Sequence, residues 1–468
     1  MNQTNTIEAH NPLETESIGK LMRQFAIPAI ISGLMNSIYN IVDQIFIGQS
    51  VGTLGNAATN VAFPLVTIMA SLSMMIGVGG ASNFSLYLGK NENEKAAKVV
   101  GNSLCMAVLS GIALSVTVLV FLEPLMVLFG ARGQVLIYAR EYTGITAIGI
   151  PFTLFGSAGS QLIRADGSPK YSMFSALSGA ILNTVLDPIF IFGFGMGIQG
   201  AALATITGQI VTAIAVLLYF RKFRSLRLKR EHFFFRARTV RSIVSLGAAA
   251  CFNQLAVTLV QIVLNNTLGY YGELSIYGRD IPLACVGIIS KVNTIFIAVI
   301  FGIAQSCQPI MGFNYGAGNY KRVKNAYKMA AIVVTCIATA AFLCFQIFPR
   351  QIIYLFGQGD ALYYEFGIRY FRIFLFCIFI NGIQILTSNF FSSIGYALKG
   401  ILLSLSRQIF FLLPLVLILP LFLGIDGVLY AGPLADGAAG LMAILFMIHE
   451  MRRLSRKDAS IQTAVPTL

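Results

Sequence analysis

Between residues 25 and 449 the sequence falls into twelve apolar runs, each long enough to cross a bilayer. About 20 residues of helix span the hydrocarbon core, where backbone polar groups must be satisfied within the protein. The runs occupy 25–47, 58–88, 99–121, 138–160, 171–192 and 200–220, then 243–269, 281–310, 326–348, 368–391, 400–423 and 427–449. Such a pattern predicts an all-α integral membrane protein. Only 11% of the residues are charged, against roughly 25% in a soluble domain. The opening stretch, MNQTNTIEAHNPLETES, has no apolar core, so no cleavable leader is expected.

The net charge of +14 invites a nucleic-acid reading, but its placement answers to topology. With the N-terminus inside, 25 of the Lys and Arg residues fall on one face and 6 on the other, leaving Lys291 and Arg407 within the bilayer. The positive-inside rule then puts both termini in the cytoplasm. Nine of the 25 lie in Arg221–Arg241, interleaved with Phe233, Phe234 and Phe235. That composition suits a linker resting on an anionic inner leaflet, so membrane lipid is an expected partner and nucleic acid is not.

The two halves repeat. Gly89 recurs as Gly316, Leu128-Phe129-Gly130 as Leu355-Phe356-Gly357, and Ile198-x-Gly200 as Ile425-x-Gly427, each 227 residues later. Gly52-x-Leu54 recurs as Gly272-x-Leu274 at 220, with a short insertion around 275–281. Units of six helices have an even count and so run in the same direction. Two parallel six-helix repeats are a transporter architecture, with a path between the lobes. The expected divisions are a tail over 1–20, an N-lobe over 21–220, a linker over 221–241, a C-lobe over 242–450 and a second tail over 451–468.

The stretch Phe174–Gln209 holds two apolar runs around a glycine-rich turn, without a charge except Asp187. Asn183 lies one helical turn before it, and Pro188 directly after leaves the Thr184 carbonyl free. Asp187 stands nine residues before Met196 and Thr205 nine after, so the two reach one depth in a helical hairpin. Asp43 sits at a similar depth in the first run. Two acids this close in a poor dielectric cannot both ionise cheaply, which suits a site for a proton or for Na⁺. The plainer alternative is that each acid is hydrogen-bonded structure.

In the second half, Lys291 and Asp436 lie ten and nine residues in from the outer side, a depth at which they can form an ion pair, with Arg407 also intramembrane. Asn36, Tyr39, Asn60, Gln161, Asn253, Gln254 and Gln305 are candidates for lining a cavity, which Lys291, Arg407 and Asp436 rival as substrate contacts. All seven cysteines fall in apolar runs and read as small buried hydrophobes, with no disulfide framework. His10, His232 and His449 stand in tails, loops or segment ends, outside the membrane chemistry. No phosphate loop, HExxH or Cys/His cluster appears, so neither an ATP-driven pump nor a resident metal or other cofactor is expected.

The segments ILNTVLDPIFIFGFGMGIQGAALAT and IPAIISGLMNSIYNIVDQIFIG and the hinge FGARG resemble the MATE multidrug and toxic-compound extrusion transporters. The likeness covers essentially all of 20–450 and is nearest to the bacterial MepA-like multidrug exporters. It implies twelve helices in two lobes, alternating access, and export of cationic amphiphiles against H⁺ or Na⁺. Family branches with an N-lobe ion site use residues matching Asp43, Asn183, Asp187 and Thr205, with Tyr39 one turn before the first acid. A branch with acids in segments 7 and 10 finds only Gln261 or Asn265 here and no acid in segment 10. The resemblance thus implies no enzyme activity, small organic cations as partners, a plasma-membrane location, and action as a monomer. The rival readings are a lipid-linked precursor or polysaccharide flippase of the same superfamily, an intramembrane aspartyl protease, for which the GxGD motif is missing, and a non-catalytic scaffold or sensor.

Overall fold

The computed structural model describes residues 12–221, 223–356 and 359–464, and within them the chain is helical. The helices that follow the expected runs are α1 (Ile18–Val51), α2 (Thr53–Gly89), α3 (Asn93–Val120), α4 (Gly133–Ala165), α5 (Pro169–Pro188) and α6 (Gly197–Phe220). The second half gives α7 (Ala237–Glu273), α8 (Asp280–Gly316), α9 (Tyr320–Ile347), the bent α10 (Ala361–Phe374 and Ile378–Ser393, 49° apart), α11 (Ala397–Leu423) and α12 (Ile425–Ala464). Ten of these are long and apolar enough to cross a membrane, and the bent pair makes an eleventh. The twelfth, α4, has 33 residues, and its charge-free interior 142–163 is made less apolar by its Gly, Ser, Thr, Gln and Pro residues. Gly52 allows the abrupt turn from α1 to α2 with a φ of 72°, which a side chain would resist.

The internal repeat is visible in the packing. A Cβ on Gly200 of α6 would run into Phe190, and one on Gly427 of α12 into Leu419, so both glycines seat a helix against the end of the one before it. The second copy of the Leu-Phe-Gly hinge runs into Gly357, outside the described residues. The lobes meet through α2 with α7 and α8, and through α1 with α8. Their contacts gather at the end that carries the basic residues. There Asn83 donates to the Ser242 carbonyl (3.1 Å) and accepts from the Ser242 hydroxyl (2.6 Å). Gln308 reaches the Val78 carbonyl (2.9 Å) and Ser82 (2.6 Å), while Arg164 and Gln161 both donate to Gln305 (2.9 and 3.3 Å). Among the described residues every hydrogen bond between α1–α6 and α7–α12 lies at this end. The bundle is therefore closed at the basic end.

The basic linker is strapped to the first lobe. Asp166 accepts from the Arg224 and Ser225 amides (2.9 and 3.0 Å) and from the Tyr219 hydroxyl (2.7 Å). Asn102, fully buried, donates to the His232 and Phe234 carbonyls (3.2 and 3.1 Å) and accepts from the Arg236 amide (3.0 Å). Phe234 and Phe235 stay exposed beside the linker's cations, as an interfacial segment requires. His232, Glu94 and Glu231 bring ligand-type atoms within 4.8 Å of one another. His232 Nδ1 accepts the Lys229 amide (3.0 Å), which leaves the proton on Nε2 facing Glu94 (3.2 Å). That tautomer offers no lone pair to a metal, so the ring acts as a strut.

Candidate functional site

Helices α5 and α6 cross in backbone contact. A Cβ on Gly179 would sit 2.5 Å from the Gly208 carbonyl oxygen, and one on Gly208 2.6 Å from that of Gly179. Small residues at a membrane crossing let backbones approach closely. The approach brings Asn183 within reach of both neighbours: its Nδ2 lies 3.4 Å from Asp187 Oδ1 and 3.4 Å from Thr205 Oγ1. The sequence places Asp187 and Thr205 at one depth and Asn183 one turn from Asp187 on the same face, and the structure brings the three together. Beyond Asp187 the helix continues through Pro188 into one wide turn, Ile189–Gly193, closed by the Phe194 amide on the Ile189 carbonyl (2.9 Å). A single turn of this kind often marks a functional site.

From α1, Asp43 faces the same spot, its carboxyl within hydrogen-bonding reach of Asp187. Asp43, Asn183 and Asp187 are 7%, 2% and 0% exposed. One oxygen of each, Asp43 Oδ1, Asn183 Oδ1 and Asp187 Oδ2, is buried without a hydrogen-bond partner among the described residues. Orphaned buried oxygens are costly, and three on neighbouring side chains suit a small hard cation or shared protons. Tyr39, one turn before Asp43, lies within the field of both carboxyls.

One contributor was missed. Tyr142 of α4 sits beside Asp43, Asp187 and Tyr39 with its hydroxyl in reach of Thr205, and packs below them with Ile47, Ile191 and Ala201. A tyrosine within an apolar run carries no charge signature, so only the fold reveals it. Against this cluster lies a cavity of about 180 Å³, lined by Asn36, Tyr39, Asn183, Thr205, Gln209 and Thr212 among others.

The remaining candidates do not assemble with these. Gln161 and Gln305 bond to each other at the closed seam. Asn253 lines a small pocket of about 30 Å³ with Gln305 and Gln384. In the second lobe the expected pairing of Lys291 with Asp436 is wrong: Asp436 pairs with Arg407 and accepts from Asn381 (3.3 Å), while Lys291 is exposed on α8. The reason is rotational. Equal depth says nothing of which face a side chain takes, and α12 packs along α10 and the wide turn Ser406–Leu412 that carries Arg407. Gln261 donates to Asn265 (2.9 Å) on α7, a pair of amides where a carboxylate-based second site would need acids.

The MatE family model matches residues 28–189 and 249–418, the cores of both halves. The multidrug export protein MepA of Staphylococcus haemolyticus is 25% identical over 450 residues, covering 96% of this chain and 97% of the relative. That of Staphylococcus aureus strain N315 is 25% identical over 447 residues, covering 94% and 96%. In fold the chain is similar to a multidrug resistance MATE family transporter of the MOP superfamily solved in an outward-facing conformation. The TM-score is 0.87 with 24% identity over 95% of this chain and 98% of the other. A MATE structure in a straight conformation gives 0.88 with 23% identity over 95% and 98%. This chain belongs to the MatE family, whose members are multidrug efflux transporters and not enzymes.

Proposed function

We propose that the protein exports organic cations by antiport with H⁺ or Na⁺, and that Asp43, Asn183, Asp187 and Thr205 hold the coupling ion, with Tyr39 and Tyr142 beside them. The observation that carries this reading is that two facing, buried carboxyls and the Asn183 amide each keep one oxygen without a partner among the described residues. Carboxylate, amide and hydroxyl oxygens suit a proton or Na⁺ alike. Ion entry from the outside would neutralise the pair and repack α1 against α5 and α6, changing the shape of the adjoining cavity. Substrate release outward follows from that change. A membrane potential supplies about 2.3 kcal/mol per charge per 100 mV, plus any ion gradient.

The alternating unit is an N-lobe over 21–220 against a C-lobe over 242–450, joined by the strapped linker 221–241. Both termini would face the cytoplasm of a plasma-membrane protein acting as a monomer, so the closed basic end is the inner one. With Arg407 buried against Asp436, Lys291 is the intramembrane cation without an ion-pair partner among the described residues, too little positive charge for a flippase of phosphate-linked precursors. Ethidium added to purified protein tests the proposal. Binding should release protons or displace Na⁺, and Asp43→Asn and Asp187→Asn should each bind dye without that release.

A further inference from the structure

At the closed basic end, between the lobes, lies a second cavity of about 340 Å³. One wall is the end of α2, with Asn83, Tyr87 and Lys90, and the other is the start of α7, with Arg238, Arg241, Ser242 and Ser245. Three cations and several hydroxyl or amide groups line it, and no carboxylate does. The neighbouring acids are already engaged: Glu92 with Lys95, and Glu94 with Lys98 and His232. All three cations are exposed, and a groove lined by one sign of charge focuses its field and concentrates anions. Two guanidinium groups and an ammonium around donors are the chemistry that recognises a phosphate.

The walls belong to different lobes and touch where side chains are absent. A Cβ on Gly79 would overlap the Ile243 carbonyl, and one on Gly247 that of Met75, while Asn83 and Ser242 clasp next to these contacts, away from Lys90 and Arg238. These backbone contacts seal the cavity on its inner side. A ligand there cannot travel further between the lobes, and an organic cation is repelled. The pocket is a regulatory seat rather than a transport path.

We propose that this seam binds a phosphate-bearing anion, either an anionic phospholipid headgroup or a soluble phosphate, and that the bound anion holds the basic end shut. A ligand touching both walls binds only when they are together, so it favours the closed state by its differential affinity. Binding itself stands apart from the efflux reading; the effect on the lobe equilibrium rests on it.

The test uses the full chain in nanodiscs of phosphatidylcholine alone, with phosphatidylglycerol added, or with inorganic phosphate added. Native mass spectrometry reads retained lipid, and hydrogen exchange reads the seam in peptides covering 75–90 and 238–250. Exchange there should slow roughly tenfold on anion addition, within the usual range of ligand coupling to a two-state protein. Lys90→Gln/Arg238→Gln/Arg241→Gln should lose both lipid retention and slowing. Arg227→Gln/Lys229→Gln/Arg230→Gln, which removes equal charge from the linker, should keep them. A response to phosphatidylglycerol alone identifies the lipid, and a response to inorganic phosphate identifies the soluble anion. Ser245→Glu, which places an acid in the pocket while leaving the cations, covers the case in which the triple variant misfolds, and should abolish binding. Retained lipid without slowing would keep the site and count against separating lobes. Equal binding by wild type and both pocket variants, or none by wild type, would overturn the proposal.

Discussion

Gly89 and Gly316, 227 residues apart in the chain, pack against each other's helix across the lobe boundary. A Cβ on Gly89 would collide with the Phe313 carbonyl of α8, and one on Gly316 with the Leu86 carbonyl of α2. A related pairing joins Met75 with Gly247 and Gly302 with Ile30: Met75 and Gly302 are again 227 apart, while Ile30 and Gly247 are 217 apart, about one helical turn off the 220 offset of Gly52 and Gly272. The closed end is thus a pseudo-twofold seam made of backbone against backbone.

Any side chain on these glycines must push the lobes apart. Gly89→Val and Gly302→Val should each disfavour the closed end by roughly 1–3 kcal/mol, the usual cost of overpacking. Hydrogen exchange across 75–89 and 302–316 should quicken relative to the lobe interiors. Exchange unchanged from wild type would contradict the seam.

In the second lobe, removing one partner of a buried ion pair strands the other. Arg407→Met should cost about 3–5 kcal/mol, and Arg407→Met/Asp436→Leu should recover most of it. Lys291→Met, on an exposed residue, should stay within about 0.5 kcal/mol of wild type. Thermal unfolding in detergent separates these; a large loss at Lys291 would restore the pairing that depth alone suggests.

The sequence displayed what burial makes expensive and hid what burial makes cheap. Asp43 and Asp187 stand out because a carboxylate in an apolar run needs a reason, and Asn183 and Thr205 follow from helical spacing. Helix number and the repeat were legible for the same reason, that a bilayer imposes length on every segment. Tyr142 was invisible because a tyrosine among apolar residues is ordinary. The Lys291 error arose because counting residues from a helix end gives height without azimuth, and the wide turn at Ser406–Leu412 shifts the face that Arg407 presents. The tie between Asp166 and the linker was hidden too, since it runs through backbone amides that any sequence would supply.

Tyr142→Phe removes one hydroxyl beside Thr205, and Thr205→Val removes the other. Each loses a hydrogen bond worth about 1 kcal/mol net, so ion affinity should fall several-fold while expression and thermal stability hold. Titration of ion-induced changes in purified protein measures this. An unaltered affinity in both variants would place the ion elsewhere.

Burial raises the Asp166 carboxyl above its usual range, and hydrogen bonds from Ser225, Tyr219 and Arg224 pull it partway back. A folded-state acid with a raised pKa contributes most below the ordinary Asp value of about 3.9, and that contribution is lost as pH rises through the raised one. Asp166→Asn does not titrate, so its unfolding temperature should gain on wild type as pH climbs from about 4 to about 7. A difference independent of pH would mean the carboxyl is not desolvated.

The central claim is coupling through Asp187. Ethidium movement in proteoliposomes of defined orientation, driven only by an imposed pH or Na⁺ gradient, tests it most directly. Wild type should transport, and Asp187→Asn should bind dye yet fail to move it with the gradient. Gradient-driven transport that survives in Asp187→Asn, or its absence in wild type, would contradict the account.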